Sequence, residues 1–364
     1  MKLVLFGSGL VSTSHTSTAT YYRGICRAMH ERGHQIVLVE ANRHDREHYG
    51  DLPEDPPYAE ARVCHSSNEL ASELENARGA DLVATCGGIG GWDAELAEGV
   101  LDVRAPGTLV AFWDVDAPRT LASALTEPPD TPGMFRALIP RYDLILLNGG
   151  GPPVQSAYTE LGARQAHVVY NAVDPEQYHH VPSQPDRVCD LLVMDDVDLD
   201  RERHLLDLLI RAAELAPERT FVVGGNGWDA SQLPEIVRYV GDVPAAEQLA
   251  WNCSARLVLS INHAGAAATS FSPSTRLFEA AACGSCIVTD VWRGMEAFFE
   301  PDHEILVAAS ADEIVEIVRA TTPGQAQAIG AAARTRALRD HTYARRAADL
   351  EAVLVRATRR SSPA

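Results

Sequence analysis

Short apolar runs alternate with amphipathic stretches along the chain, and most of the runs end in glycine or polar residues. The first run, over residues 2–6, leads into a hydroxyl-rich segment and then into a stretch that places Tyr21, Ile25 and Met29 on one helical face. A further apolar run covers residues 35–40. A helical period between two short β-favouring runs predicts that the chain begins with a strand, a helix and a second, parallel strand.

Three more apolar runs of the first half end in polar or glycine-rich loops. They predict strands over 81–86, 108–113 and 143–147, followed by Gly-Gly-Ile-Gly-Gly, Asp-Val-Asp-Ala-Pro and Asn-Gly-Gly-Gly. In a doubly wound parallel sheet, the carboxyl ends of the strands lie along one edge, where ligands bind. The pattern predicts an α/β domain with a ligand-binding edge, and its last short strand is expected over 168–170.

An irregular stretch with three prolines, residues 171–188, separates this region from a second series of strands and helices. We interpret it as a linker. Further apolar runs predict strands over 189–194, 220–223 and 256–261. The repeated order of strands and helices predicts an α/β fold with two Rossmann-like domains, residues 1–175 and 176–340, followed by a helical segment over 341–364.

Charge and cysteine usage narrow the class of protein. The 364 residues carry 50 acidic and 31 basic side chains, for a formal net charge of −19. Nucleic acids and anionic membranes are bound by clustered Lys and Arg, so this charge argues against both as main partners. No apolar run approaches the ~20 residues of a membrane helix and the N-terminus does not resemble a signal peptide, so we predict a cytoplasmic protein. The seven scattered cysteines predict neither a disulfide framework nor a zinc site.

The most informative stretch covers residues 271–299, FSPSTRLFEAAACGSCIVTDVWRGMEAFF. Ser272 before Pro273 predicts the start of a short helix. That helix carries Arg276 and, one turn later, Glu279. A guanidinium can bind a diphosphate, and a carboxylate can accept hydrogen bonds from two ribose hydroxyls. The alternative interpretation is a capped amphipathic helix with one internal Arg–Glu pair.

Two segments from residue 272 onward, S-P-S-x-R-L-F-E-A-A-A-C-G and T-D-x-W-x-G-M-E-x-F-F-x-P-x-x-E-I-L, resemble the signature of the CgeB-like family of GT-B glycosyltransferases. DLPEDPPY, FWDVDAPRTL, RYDLILLNGGG, YNAVDPEQY and RTFVVGG are similar to that family's successive landmarks, in the same order. The resemblance implies two Rossmann-like domains that face each other across a cleft. It places the acceptor on the side of residues 1–175 and the donor on the side of 176–340. The helix over 341–364 is expected to cross back to the first domain.

For the donor, the resemblance implies a nucleotide-diphosphate sugar held without a bound metal or further cofactor. Glu279 matches the carboxylate that holds the donor ribose. The other predicted donor-binding residues lie in the same helix or in loops that follow strands: Arg276, Ser272, Ser274, Thr275, Arg201, Gly225 and Asn226. The backbone at Gly225 and Asn226 is expected to approach a base or phosphate closely, with a simple tight turn as the alternative.

The chain departs from the family pattern at two places. Phe271 stands eight residues before Glu279, where many retaining GT-B enzymes have a second glutamate, so the stereochemical outcome stays open. Met194-Asp195-Asp196 stands where the family has a glycine-containing loop. Two carboxylates beside a diphosphate are unfavourable, which predicts that the loop is remodelled or that its carboxylates point away.

On the acceptor side, Asp116, Asp114 and His15 are the candidate catalytic residues. Sugar transfer to a hydroxyl needs a base or an orienting anion near the reacting carbon, and the two aspartates follow a strand that is expected to end at the ligand-binding edge. The alternative interpretation is a helix-capping aspartate pair. His15 lies in the first polar loop and is an alternative base.

The sequence leaves three functions in competition. The first is a glycosyltransferase that moves a sugar, hexosyltransferase-like, from a nucleotide sugar to a small-molecule or glycan acceptor. The second is a non-catalytic nucleotide- or ligand-binding protein with a degenerate GT-B fold. The third, an NAD-dependent enzyme, is disfavoured because Ser12 replaces the third glycine of the G-x-G-x-x-G fingerprint.

Overall fold

The computed structural model describes residues 1–7, 17–41, 56–87, 92–126, 135–196, 203–261 and 271–361. The chain divides into two compact units, Met1–Tyr170 together with Tyr343–Ala364, and Asn171–Thr342. These divisions lie a few residues from the boundaries after residues 175 and 340 that the sequence pattern suggests. The stretch interpreted as a linker, 171–188, is part of the second unit.

A seven-stranded parallel sheet forms the centre of the first unit, in the order β3-β2-β1-β4-β5-β6-β7. Its strands are β1 (Lys2–Gly7), β2 (Gln35–Ala41), β3 (Glu60–Cys64), β4 (Leu82–Gly87), β5 (Leu109–Asp114), β6 (Leu144–Leu147) and β7 (Ala166–Val168). Every residue of β5 and β6 is buried, which explains their continuous apolar runs, because a parallel sheet is covered on both faces. The strand order reverses between β1 and β4, the kind of switch point at which α/β sheets bind ligands.

Six helices of the first unit connect these strands. They are α1 (Ser17–Glu31), α2 (Ser67–Asn76), α3 (Asp93–Asp102), α4 (Ala117–Thr126), α5 (Phe135–Leu138) and α6 (Gly151–Glu160). The core between these helices and the sheet is made of side chains such as Val83, Val110, Ile145 and Tyr158, each fully or almost fully buried. The sheet and this core fix the carboxyl end of β5, where the candidate aspartates lie.

The second unit has its own six-stranded parallel sheet, in the order β10-β9-β8-β11-β12-β13. Its strands are β8 (Leu191–Met194), β9 (Phe221–Gly224), β10 (Val237–Tyr239), β11 (Leu257–Leu259), β12 (Ile287–Thr289) and β13 (Leu306–Val307). Its helices are α7 (Arg203–Leu215), α8 (Ala245–Ser254), α9 (Thr275–Cys283), α10 (Ala311–Ala320) and α11 (Pro323–Asp340). Helix α9 is almost wholly buried, which explains its run of alanines.

The last helix, α12 (Tyr343–Ser361), belongs to the first unit. Its Glu351 forms an ion pair with Arg32, and it lies 3.1 Å from Nε2 of the buried His34. The ring of Tyr343 occupies the space that a Cβ on Gly24 would need, so this glycine lets helices α1 and α12 pack closely. The sequence thus returns to its first domain after the second one is complete.

Several strands differ from the sequence prediction. The last strand of the first sheet is β7 (Ala166–Val168). The predicted strand over 168–170 is therefore placed about two residues too late in the chain. Residues 56–78 contain strand β3 and helix α2, neither of which the apolar pattern predicted. Strands β10 and β13 have only three and two residues and carry too short a pattern to be recognised.

Two further features concern the length of the helices and the burial of the cysteines. None of the described helices is long and apolar enough to cross a membrane. All seven cysteines are free, and six of them are buried. The cysteines therefore serve mainly as small apolar side chains of the two cores.

Candidate functional site

Helix α9 begins two residues later than the sequence predicted. Ser274 is its N-cap, and the Ser274 Oγ accepts a hydrogen bond of 3.2 Å from the backbone N–H of Leu277. The prediction of Ser272 as N-cap, with Pro273 in the first turn, is wrong. The reason lies at Phe271, whose φ of 52° bends the chain just before, and whose backbone N–H bonds to the carbonyl of Arg293 at 2.7 Å.

The N-terminus of α9 is suited to an anion. Thr275, its first residue, is only 6% exposed, and its Oγ1 has no hydrogen-bond partner among the described residues. The first N–H groups of a helix point outward without intrahelical acceptors, and the helix dipole favours negative charge there. The hydroxyls of Ser274 and Thr275 and these N–H groups together form a polar helix end that can receive phosphate oxygens.

Arg276 lies in the same turn and contacts four acceptor side chains. Its Nη1 donates to the Gln248 Oε1 at 2.6 Å and to the Glu279 Oε2 at 3.4 Å. Its Nε and Nη2 each lie 3.6 Å from a carboxylate oxygen, of Asp195 and Asp196 respectively. The Arg276 side chain is 26% exposed, so it is partly open to a ligand. Burial lowers the pKa of Arg276, but the nearby carboxylates raise it above its ordinary value, so the guanidinium stays charged.

Glu279 is the buried partner of this arginine. Its side chain is only 7% exposed, and burial raises the pKa of the carboxyl, an effect opposed first by Arg276 and then by Tyr178. The phenol of Tyr178, also buried, has a pKa well above its usual range and stays protonated as a hydrogen-bond donor. The arrangement supplies one buried acceptor carboxylate, a group that can accept charge-assisted hydrogen bonds from ribose hydroxyls.

The turn after β9 packs against the turn after β8. Gly225 has a φ of 122°, and a Cβ there would overlap the carbonyl of Asp195, so only glycine fits. The backbone N–H of Asn226 donates to the Asp196 Oδ1 at 2.8 Å, and Trp228 Nε1 donates to the Asp195 carbonyl at 2.9 Å. The close approach at Gly225 is therefore observed between its own backbone and the backbone of Asp195. Contact of Gly225 and Asn226 with a ligand stays a prediction.

These hydrogen bonds determine where the side chains of Asp195 and Asp196 point, the two residues at which the chain departs from the family pattern. Instead of pointing away, the two side chains face Arg276. The loop is held in place by its partners in the β9 turn. A single guanidinium is thus shared among three carboxylates, which the sequence order alone does not reveal.

Asp114 ends strand β5 in the first unit and is almost completely buried. Its Oδ1 accepts from the backbone N–H of Asp116 at 2.9 Å and from the Thr120 hydroxyl at 3.1 Å. Its Oδ2 accepts from the Tyr158 hydroxyl at 2.5 Å. Burial raises the pKa of Asp114 to about 6, although the three donors lower it. Asp114 thereby ties strand β5 to the start of α4 and to α6, which agrees with the interpretation of a helix-capping aspartate.

Asp116 precedes α4 and is only partly buried. Its carbonyl accepts hydrogen bonds from the backbone N–H of Thr120 at 3.0 Å and from its hydroxyl at 3.1 Å. Its own carboxylate receives no hydrogen bond from another described residue. The two aspartates are therefore not equivalent: Asp114 is an interior acceptor, and Asp116 presents a carboxylate at the carboxyl end of β5.

Two predicted site residues, His15 and Arg201, lie outside the described residues. Three residues that the structure adds are Gln248, Tyr178 and Tyr158. No sequence signal marks them, because each approaches its partner from a distant part of the chain. Within the described ranges, no group of three or more His, Cys, Asp and Glu side chains is placed to hold a metal ion.

Comparisons with known proteins place this geometry in a family context. Residues 201–352 match a family model described as "Glycosyl transferase-like", and this segment contains Gln248, Arg276 and Glu279. No curated protein sequence matches the chain.

Solved structures resemble the whole chain. Sucrose-phosphate synthase from Thermosynechococcus elongatus is 12% identical with a TM-score of 0.70, covering 99% of this chain and 100% of that one. HepE from Anabaena, solved in complex with UDP and glucose, is 14% identical with a TM-score of 0.67, covering 98% and 100%. An alpha-glucosyltransferase in complex with UDP and DNA is 11% identical with a TM-score of 0.67, covering 98% and 99%.

At such identities the likeness shows the fold. The prediction of two Rossmann-like α/β domains of the GT-B class is confirmed, and the family match supports the prediction of sugar transfer. The CgeB-like subfamily, the predicted contacts of individual site residues and the arrangement across a cleft stay predictions. Residues 201–352 thus match a glycosyl transferase-like family model, in a chain whose two α/β domains have the GT-B fold.

Proposed function

We propose that the protein is a CgeB-like glycosyltransferase that transfers a hexose from a nucleotide-diphosphate sugar to a small-molecule or glycan acceptor. The observation that supports this most is the position of Arg276 and Glu279 in the first turns of α9, within the glycosyl transferase-like segment. A buried carboxylate matches the ribose hydroxyls of such a donor, and a partly open guanidinium beside a helix N-terminus matches its diphosphate.

In this proposal the second unit binds the donor. Glu279 accepts hydrogen bonds from the ribose hydroxyls, because Arg276 contacts its Oε2 and supports its charge. The N–H groups at the start of α9, with the hydroxyls of Ser272, Ser274 and Thr275, bind the diphosphate. Arg276 stabilises the negative charge that grows on the leaving diphosphate as the bond to the sugar breaks. The sequence also proposes Arg201 for this role.

The first unit binds the acceptor in this proposal. The acceptor hydroxyl oxygen forms a bond to the anomeric carbon, and the bond from that carbon to the diphosphate oxygen breaks, with its electron pair leaving on the nucleoside diphosphate. Asp116 takes the hydroxyl proton, and His15 is the alternative base. Asp114 is better suited to hold the start of α4, because three donors already occupy its two oxygens.

The charge of the chain guides the choice of acceptor. The alpha-glucosyltransferase among the structural neighbours was solved with DNA. Here the net charge of −19 opposes a nucleic-acid acceptor, since phosphate backbones are bound by clustered Lys and Arg. We therefore propose a small molecule or a glycan instead.

The test is a panel of nucleotide sugars added to the purified chain. The correct donor should raise the melting temperature, because a ligand at 100 times its Kd stabilises the folded state by about 2.7 kcal/mol. Labelled sugar should then pass to an added acceptor, and chelation of metal ions by EDTA should leave turnover intact. Binding without turnover would favour the non-catalytic alternative, and no stabilisation by any nucleotide or nucleotide sugar would contradict the proposal.

A further inference from the structure

The carboxylates of Asp195 and Asp196 stand where a donor diphosphate has to approach Arg276. Both lie 3.6 Å from guanidinium nitrogens of this arginine, and Glu279 contacts it as well. Thr275 Oγ1, in the residue before Arg276, is buried and unpaired among the described residues, which independently marks this helix end as a place for a ligand. The acidic pair is thus next to this helix end, because Arg276 lies in the first turn of α9 and contacts both carboxylates.

The acidic pair is held in this position by its own structure. The Asp195 backbone N–H donates to the Gly224 carbonyl at 3.0 Å, and the Asp195 Oδ1 accepts from the Asp196 N–H at 3.0 Å. The Asp196 Oδ1 accepts from the Asn226 N–H at 2.8 Å. Two of these bonds join the turns after β8 and β9, so the carboxylates face Arg276 as a fixed feature of the fold.

Arg276 does not depend on the two aspartates for its position. Gln248 accepts from Arg276 Nη1 at 2.6 Å, a full ångström shorter than either aspartate contact. The orientation of the Gln248 amide is itself fixed, because its Nε2 donates to the Val243 carbonyl at 2.8 Å. Gln248 is neutral and holds the guanidinium without cancelling its charge. The aspartates make longer contacts that a diphosphate can replace.

We propose that Asp195 and Asp196 are specificity-determining residues that compete with the ligand's diphosphate for Arg276 and so favour the sugar-bearing donor over the nucleoside diphosphate product. A diphosphate esterified at both ends carries one negative charge on each phosphate. The free product has a terminal phosphate whose second ionisation lies near pH 6, so it gains a further negative charge near neutral pH. Like charges repel, and the product is repelled more than the donor.

This inference rests on the proposed function and adds to it a reason for product release. A site that binds its product as tightly as its donor is inhibited as the product accumulates. The acidic pair counteracts this inhibition by product. The pair is a feature of this chain, since Met194-Asp195-Asp196 stands where the CgeB-like family has a glycine-containing loop. Asp196 has the more exposed side chain of the pair, 42% against 20%, and is the better position to test.

The experiment measures the affinity of UDP and of UDP-glucose by calorimetry, without and with Mg²⁺, for the wild type, Asp196→Asn and Asp207→Asn. UDP is the nucleotide in the HepE structure, and GDP, ADP and CDP with their sugars replace it if the wild type prefers them. Asparagine keeps the shape of residue 196 and its acceptor for the Asn226 N–H. Asp207 is exposed on α7 and makes no described contact with Arg276, so its variant controls for the change in net charge.

We expect Asp196→Asn to bind the nucleoside diphosphate about threefold to tenfold more tightly, the effect of removing one nearby charge in a partly solvated site, and the sugar donor by a smaller factor. Asp207→Asn should leave both affinities unchanged. An unchanged donor-to-product ratio in Asp196→Asn would overturn the inference. Weaker binding of both ligands by Asp196→Asn would also overturn it, because Asp196 would then support Arg276. Loss of a Mg²⁺-dependent component of binding would overturn it as well, because the pair would then be a ligand of the cation. Absence of nucleotide binding in the wild type would instead refute the proposed function, and this inference with it.

Discussion

Asp114 in the first unit and Glu279 in the second are both buried carboxylates, yet their surroundings give them different uses. Asp114 accepts hydrogen bonds from three neutral donors: the Asp116 N–H just before α4, the Thr120 hydroxyl in α4 and the Tyr158 hydroxyl in α6. Glu279 has a guanidinium beside one oxygen, in its own helix. Burial raises the pKa of both carboxyls, but at Asp114 hydrogen bonds from neutral donors oppose the rise, whereas at Glu279 the charge of Arg276 opposes it first. The first arrangement suits a structural role, and the second suits a charged group that is available to a ligand.

The comparison also separates Asp114 from its neighbour two residues later. Asp114 is interior, and Asp116 presents its carboxylate at the end of β5. In the sequence the two aspartates compete for one role, because both are carboxylates that follow the same predicted strand. The strand ends at Asp114, however, and Asp116 lies at the start of a helix.

Asp116→Asn should lower turnover at saturating donor by about 10²–10⁴-fold, the usual contribution of a positioned base. Donor affinity should stay unchanged, since the donor is proposed to bind the other unit. Asp114→Asn should lose less turnover than Asp116→Asn. The measurements are initial rates with labelled donor, together with direct binding. Full activity of Asp116→Asn would exclude it from the chemistry and make His15 the better candidate.

Asp114→Asn should remove a pH dependence of stability. The pKa of Asp114 is about 6 in the folded state against 3.8 ordinarily, so the folded state favours the protonated form. The resulting stabilisation is complete below about pH 4 and is lost as the pH rises through about 6, an effect of about 3 kcal/mol. Urea unfolding between pH 4 and 7 gives the free energy of unfolding at each pH. The titration of Asp114 appears as the difference between the wild type and the variant in how steeply this free energy depends on pH.

A matched control for this titration is Tyr142→Phe. Tyr142 is a buried tyrosine of the same unit whose hydroxyl donates to the Ala97 carbonyl at 2.7 Å, away from the oxygens of Asp114. Its loss should lower the free energy of unfolding by a similar amount at every pH. Equal pH dependence in wild type and Asp114→Asn would show that Asp114 does not titrate in this range.

Glu279→Gln should weaken binding of the donor, while the chain stays folded. A hydrogen bond to a charged group contributes about 1.5–3 kcal/mol, which corresponds to an affinity loss of roughly 10- to 150-fold. The glutamine keeps the volume of the side chain, so the change reports the charge. Calorimetry is done with the nucleotide sugar and with the nucleoside, which lacks the diphosphate and the transferred sugar. The comparison separates contacts with the ribose from contacts with the diphosphate and the transferred sugar. A folded variant with wild-type affinity would place the ribose elsewhere.

Gly225→Ala should destabilise the second unit by about 1–3 kcal/mol more than Gly33→Ala destabilises the first. Both glycines have positive φ, which an alanine adopts only with strain of about 1 kcal/mol or more. At Gly33 a Cβ meets nothing within 4 Å, whereas at Gly225 it overlaps the Asp195 carbonyl. Urea unfolding of the two variants isolates this clash. Equal losses would mean that the turns after β8 and β9 adjust independently.

The sequence by itself determined the features that depend on neighbouring residues. Continuous apolar runs predicted most of the parallel strands, because strands covered on both faces have no polar side. The spacing of Arg276 and Glu279 placed both on one helical face, since residues three apart lie one turn from each other. Local rules also account for the end of α9 at Gly284, whose φ is 81°, because glycine adopts the left-handed conformation of a helix end without strain.

Only the tertiary structure decided which residues surround those groups. Gln248 reaches Arg276 from 28 residues away, and Tyr158 reaches Asp114 from 44 residues away, each carried there by the order of strands in its sheet. Whether Asp195 and Asp196 face the arginine or turn from it depended on hydrogen bonds between two loops. A residue's type and immediate neighbours contain no record of such contacts, because the packing of separate elements against a common sheet brings them together. The sequence therefore supplied the charged groups, and the fold decided how each charge is shared.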